Sequence, residues 1–150
     1  MSASTKAVCW QHRLVELGAC ADAREWAAPY ATFAEAWAAC ERGDWMLWLI
    51  GRASAAPQDS VARQQLVLAA CACARLALSH VTAGEQRPLR AIETAERWAN
   101  GEEGVTLSDV RAAAYAAYAA YAASSQAHAA TLKQCADIVR ARYRAEEVLS

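Results

Sequence analysis

Apolar residues recur every three or four positions through most of the chain, which is the spacing of one face of an α-helix. The segment that opens at Pro88 shows this pattern most clearly. Its apolar side carries Ile92, Ala95, Trp98 and Ala99. Its opposite side carries Arg90, Glu93, Glu96 and Arg97. No run alternates polar and apolar residues with a period of two, the pattern of a half-buried strand. We therefore predict an all-α protein.

Start and stop signals for helices divide this pattern into about seven elements. The predicted helices span Ser4 to Leu17, Ala21 to Ala28, Thr32 to Cys40, Trp45 to about Ala53, about Asp59 to Val81, Pro88 to Ala99, and a final region from Thr106. A glycine often ends a helix, which is the role we assign to Gly18, Gly43 and Gly84. Asp44 is placed at the N-cap of the fourth helix. Whether the last helix runs unbroken from about 107 to 149 stays open.

The fifth predicted helix, about residues 59–81, is the expected centre of the fold. Between Leu66 and Leu78 only Arg75 is charged, so the helix is apolar on nearly every side. Such a helix is normally wrapped by other helices. No linker or second hydrophobic core is visible, so we predict one compact domain over residues 1–150. An alanine-rich helix or helix pair would form its C-terminal part.

Composition and charge exclude several functional classes. Hydrophobic residues make up 56% of the chain, and the formal net charge is -1, so no general field attracts nucleic acid. The longest apolar run, Leu66 to Ala74, is far shorter than the roughly 20 residues of a membrane span. We therefore expect a cytoplasmic protein without membrane contact. The six cysteines are expected to be buried free thiols, since they sit among alanines and large apolar residues.

The sequence offers no catalytic or metal-binding motif. Cys9 and His12 share one helical face, but no third ligand follows at a known spacing. His-Glu-x-x-His, Gly-x-Ser-x-Gly and glycine-rich phosphate loops are missing. We therefore predict no enzyme activity, no metal and no cofactor.

Aromatic residues supply the first candidate site, a surface for another protein. Tyr115, Tyr118 and Tyr121 are three apart, so on a helix they form a slanted band. Trp45 stands beside an acidic residue in a short, tryptophan-rich helix. Tyrosine and tryptophan are frequent anchors at protein interfaces. The alternative interpretation places the same residues in the core.

Charged residues inside apolar stretches supply a second candidate site. Asp44, Arg52, Arg75 and Glu93 could form a buried network, because a buried charge needs a partner. Such a network could line a ligand pocket. It could equally fix the register of helices whose alanine faces are interchangeable.

Several motifs together carry a resemblance to a known family. They are Gly43-Asp44-Trp45, Trp48-Leu49, Arg52, Arg75-Leu76, Leu78 and the stretch from Arg87 to Trp98. These motifs resemble the immunity-protein-5-like family of bacteria and their phages, over about residues 33–145. The resemblance implies a helical protein that neutralises another protein, typically a toxin. It implies no catalytic residues. The tyrosine repeat and Trp10 depart from the family pattern.

We therefore expect a non-enzymatic inhibitor that binds another protein and acts by steric occlusion. Its partner would be a toxin or, for a phage-encoded form, a component of a bacterial defence system. A first alternative is a ligand-binding or enzymatic helical bundle that uses the pocket of four charges. A second alternative is a homo-oligomeric helical scaffold such as a homodimer.

Overall fold

A computed structural model describes residues 9–54, 60–112 and 128–149, and within these ranges it contains α-helices and no strand. This confirms the all-α prediction. The helices are α1 (Trp10–Leu17), α2 (Ala21–Ala27), α3 (Phe33–Ala39), α4 (Gly43–Ala53), α5 (Val61–Ala77), α6 (Arg87–Ala99), α7 (helical residues 107–112), α8 (His128–Arg142) and α9 (Ala145–Val148). A 3₁₀ turn, Leu78–His80, extends α5.

Helix α5 contacts three other helices but is less buried than predicted. It packs against α4, α6 and α8, while α4 also packs against α8. Its buried residues are Ala69, Cys71 and Cys73, so the fully buried face is narrower than the sequence pattern implied. Ala136 and Val139 of α8 lie at the core and are completely buried. The short helix α9 closes this end of the bundle against α3 and α4.

One stretch among the described residues, Val61–His80, is long and apolar enough to cross a bilayer by length and composition. Arg63 and Arg75 interrupt its apolar residues, so the length of uninterrupted apolar runs does not reveal it. The fold buries only part of this stretch, and its fully buried residues are Ala69, Cys71 and Cys73.

The start of α4 differs from the prediction. Helix α3 ends at Ala39, and Gly43 is the first residue of α4 rather than the stop signal of α3. Arg42 takes the N-cap position, so Asp44 lies inside the first turn. The reason is packing against α8: a Cβ atom on Gly43 would lie 2.3 Å from the Cβ atom of Cys135.

The C-terminal region is divided. Helix α8 ends at Arg142, and Arg144 has extended backbone before α9 begins. The final helical region therefore does not continue unbroken to Leu149. The backbone N–H of Arg144 donates to Oε1 of Glu147 at 3.2 Å, which starts the new helix.

All six cysteines are free thiols, as expected, but two of them are not buried. Cys9 and Cys20 are exposed, because they stand at the N-caps of α1 and α2. The other four lie in the interior: Cys40, Cys71, Cys73 and Cys135.

Candidate functional site

A cavity of about 400 Å³ lies between α1, α2, α3 and the start of α4, and it is the candidate site. Its lining is mostly apolar and contains five of the six tryptophans of the chain. The aromatic residues that line it are Trp10, Trp26, Phe33, Trp37, Trp45 and Trp48. Trp48 is 42% exposed, and Trp37 is buried at the base. A mainly apolar cavity of this volume falls in the size range of known ligand-binding sites.

The cavity exists because large rings face small side chains. Gly18, Ala19, Ala23, Ala27 and Ala36 line it together with the aromatic residues. Side chains of this size cannot fill the space left between rings that come from four helices. The space between the rings therefore remains open to solvent, with Trp48 exposed beside it.

Gly18 turns the chain from α1 into α2 along the edge of the cavity. Its φ of 90° is left-handed, a conformation that glycine adopts without a steric penalty. Its N–H donates to the carbonyl of Val15 at 3.0 Å, and that of Ala19 donates to Leu14 at 3.0 Å. These bonds satisfy the last carbonyls of α1. The predicted stop signal at Gly18 is confirmed.

Hydrogen bonds tie α1 to the connection between α2 and α3. Nε1 of Trp10 donates to the carbonyl oxygen of Ala31 at 3.3 Å. Nε2 of Gln11 donates to the carbonyl oxygen of Tyr30 at 2.7 Å. The first turn of α1 is therefore fixed at one side of the cavity.

The aromatic rings of the lining contact one another in tilted pairs. The ring centroids of Trp10 and Phe33 are 5.6 Å apart at an interplanar angle of 59°. Phe33 and Trp37 are also 5.6 Å apart, at 43°. Trp26 and Trp45 are 6.1 Å apart, at 58°. Tilted pairs at these distances are favourable, because the positive edge of one ring meets the negative face of another.

Helix α8 holds the base of the cavity in place. Nη1 of Arg140 donates to the carbonyl oxygens of Trp37 at 3.0 Å and Cys40 at 2.6 Å. Nε1 of Trp37 donates to the carbonyl oxygen of Tyr143 at 3.1 Å. A cation at the C-terminus of α3 also complements the helix dipole.

An ion pair stands at the cavity where α4 begins. Nε and Nη2 of Arg42 donate to Oδ1 and Oδ2 of Asp44 at 2.9 and 2.7 Å. The same guanidinium lies 4.3 Å from the ring centroid of Trp45. Burial disfavours the charged form of Asp44, but the hydrogen bonds and charge of Arg42 outweigh it and lower the pKa of the carboxyl. Asp44 is therefore ionised and neutralised by Arg42 at neutral pH.

Replacement of Asp44 by asparagine is expected to change the pH dependence of stability. Because the folded-state pKa is lowered, the ion pair stabilises the fold above the unfolded pKa, about 3.9, and is lost as the pH falls through the folded value. The pair is nearly half exposed, so the contribution is below about 1 kcal/mol. Urea unfolding at pH 7 and pH 3 should therefore show a larger difference for the wild type than for Asp44→Asn. Equal differences would contradict this role of the pair.

The Cys40 thiol at the cavity is not poised for nucleophilic chemistry. Burial raises the pKa of the Cys40 thiol, so it is protonated at neutral pH. Among the residues the structure describes, no three His, Cys, Asp or Glu side chains come together as metal ligands. His12 instead lies 3.4 Å from Glu16 on its own helix.

The structure does not bring the four predicted charges together. Asp44, Arg52, Arg75 and Glu93 are all exposed, and no charged residue is buried within the described ranges. Nε of Arg52 donates to the carbonyl oxygen of Leu17 at 2.9 Å, and Arg75 pairs with Glu96 at 2.6 Å instead of Glu93. The prediction of a buried network is therefore wrong, because each charge reaches solvent or a neighbouring group separately.

Of the predicted partner-binding residues, one lies at the cavity and three lie outside the described part of the chain. Trp45 lies at the cavity, as does Asp44 from the set of charges. Tyr115, Tyr118 and Tyr121 lie outside the described residues.

Five aromatic lining residues were not predicted as site residues: Trp10, Trp26, Phe33, Trp37 and Trp48. Their recurrence among alanines in consecutive short helices was the available signal. No protein-family model matches this chain, and neither does any curated protein or solved structure.

Proposed function

We propose that this chain is a non-enzymatic binding protein that neutralises another protein by occluding part of its surface. The aromatic cavity would receive an anchor side chain of that partner. The observation that carries the proposal is the set of five tryptophans around one opening, with Trp48 partly exposed to solvent. Tryptophan is enriched among the few residues that provide most of the binding energy at protein interfaces.

The rigidity of the cavity supports an inhibitor that works by shape. Hydrogen bonds fix Trp10 and Trp37, and the guanidinium of Arg42 covers one face of Trp45. Side chains that are already ordered lose little entropy on binding, so more of the contact energy becomes affinity. Steric occlusion requires no cofactor and no turnover.

The nature of the partner comes from the resemblance of the sequence to immunity proteins. We propose a toxin or a component of a bacterial defence system, met in the cytoplasm. The opening at the cavity offers such a partner a concave apolar centre. The surrounding helices α1 and α2 offer exposed charged residues for the rim: Arg13, Glu16, Asp22, Arg24 and Glu25. An apolar centre with a polar rim is the usual arrangement of a protein interface.

Truncation of Trp48 tests this function. The Trp48→Ala variant should no longer retain the host protein that the wild-type chain captures. With both proteins purified, the variant should bind this partner at least about 30-fold more weakly than the wild type does. Val61→Ala is the matched control, because Val61 is 70% exposed and lies on α5 away from the cavity. It should change the affinity by less than about threefold.

The proposal fails if both variants retain the partner equally while remaining folded by far-ultraviolet dichroism. It also fails if the purified partner is bound but its activity is unaffected at saturation. Light scattering measures the molar mass of the purified chain in solution. A molar mass of two chains would support the homodimer alternative.

A further inference from the structure

We infer that the group entering the cavity is an uncharged aromatic side chain of the partner protein. This inference rests on the proposed function and specifies the chemistry of the anchor. It is carried by two properties of the cavity, its charge and its shape.

The charge of the lining disfavours a charged anchor (lysine, arginine, aspartate or glutamate), because it offers none of them a free counter-charge. Asp44 is the one ionised side chain among the lining residues, and both of its oxygens accept hydrogen bonds from Arg42. A charged anchor would lose its water without gaining a counter-charge. A cationic anchor meets a further obstacle, because the guanidinium of Arg42 already lies over the ring of Trp45. The cavity therefore favours a neutral occupant.

The shape of the cavity favours a ring over an aliphatic group. A cavity of about 150 Å³ is enough to hold benzene, so about 400 Å³ has room for a bicyclic ring with its stem. A leucine side chain would leave most of the space empty and most of the wall without contacts. The wall rings are already packed in tilted pairs at 5.6 and 6.1 Å, and an incoming ring can extend this arrangement.

Indole N–H resonances provide the test, because the chain has six tryptophans and five line the cavity. The ¹⁵N-labelled chain would be titrated separately with unlabelled N-acetyl-tryptophanamide, N-acetyl-leucinamide and N-acetyl-lysinamide. We expect the tryptophan probe to shift cavity resonances with a Kd on the order of 1 mM, the range for a ligand of this size. The resonance of Trp98 on α6 should stay in place as an internal control. The leucine and lysine probes should each bind at least about tenfold more weakly than the tryptophan probe.

Ala23→Leu tests whether the probe occupies the cavity. Ala23 lines the cavity on α2, so a leucine there should weaken the tryptophan probe at least about tenfold. Ala34→Leu is the matched control, since Ala34 is exposed on α3 and does not line the cavity. If Ala23→Leu does not fold, Trp48→Ala takes its place, with the same expected loss.

The outcomes separate the inference from the proposed function. Equal binding of the leucine or lysine probe, or no binding of the tryptophan probe, would overturn the inference even if partner capture depends on Trp48. If the tryptophan probe binds to the wild type but Ala23→Leu still captures the partner, the cavity binds a free aromatic molecule and not the partner. In that case the inference and the proposed role of the cavity in partner binding are both wrong. Loss of both probe and partner in Ala23→Leu, with both retained in Ala34→Leu, supports the inference.

Discussion

Replacement of Gly43 by alanine is expected to destabilise the fold by about 3 kcal/mol, the upper range for overpacking a core. A Cβ atom at this position would lie 2.3 Å from the Cβ atom of Cys135. It would also lie 2.7 Å from the backbone nitrogen of Ala136 and 2.7 Å from the carbonyl carbon of Cys135. A flexible side chain could move aside, but the backbone of α8 cannot. The start of α4 must therefore separate from α8.

A second glycine in the same helix provides the control. A Cβ atom on Gly51 would lie 3.1 Å from Nη1 of Arg63 and 3.3 Å from Cδ2 of Leu66, both at the ends of flexible side chains. Because alanine is a better helix former than glycine by up to about 1 kcal/mol, Gly51→Ala should be neutral or stabilising. Urea unfolding of the two variants measures the difference. Equal midpoints would show that the contact between Gly43 and α8 does not constrain the fold.

The same substitution should also disturb the cavity. Trp45 and Trp48 follow Gly43 on α4, so a displaced first turn moves two of the lining rings. The tryptophan emission spectrum of Gly43→Ala should therefore differ from that of the wild type under conditions in which the variant remains folded. Gly51→Ala should retain the wild-type spectrum.

Those features of the fold that depend on neighbouring residues were predictable. The charged and apolar sides of α6 follow directly from residue spacing, and Ile92 and Trp98 are buried as expected. Thr32 accepts a hydrogen bond from the backbone N–H of Glu35 at 3.2 Å, at the predicted start of the third helix. Gly18 ends α1 in a left-handed conformation. In each case the interaction that decides the structure lies within one or two helical turns.

Contacts between distant residues account for the errors. A glycine before an aspartate is typical of a helix stop followed by a cap, but Gly43 is required by Cys135, which lies far away in the sequence. Arg75 had several acidic residues within reach, and the rotation of α6 against α5 decides that Glu96 is its partner. Neither contact leaves a local signal in the sequence.

The cavity was beyond prediction for a related reason. A tryptophan among alanines indicates burial, and Trp37 is indeed buried. Whether the rings close on one another or leave a gap depends on how the small residues of one helix face the rings of another. That arrangement is set by turns such as the one at Gly18 and by the position of α3 on α8.

Replacement of Arg140 by methionine is expected to destabilise the fold by about 3 kcal/mol, a value typical of losing two hydrogen bonds to a charged group. The side chain of Arg140 is only 23% exposed. Its guanidinium binds the carbonyl oxygens of Trp37 and Cys40 at the end of α3, and Asp137 on α8 at 2.6 Å. Methionine preserves the apolar stem and leaves these acceptors without donors. Lysine should restore only part of the stability, because one ammonium cannot reproduce the geometry of the planar guanidinium.

Arg97→Met is the matched control for a solvent-exposed ion pair. Arg97 pairs with Glu102 at 3.0 Å, and both side chains are about half exposed, so its loss should leave the unfolding midpoint close to that of the wild type. The two variants should also differ at the cavity. Since Arg140 holds the helix that carries Phe33 and Trp37, its loss should weaken the binding of N-acetyl-tryptophanamide, whereas Arg97→Met should leave it unchanged. Equal unfolding midpoints, or unchanged probe binding in Arg140→Met, would mean that the position of α3 is set by apolar packing alone.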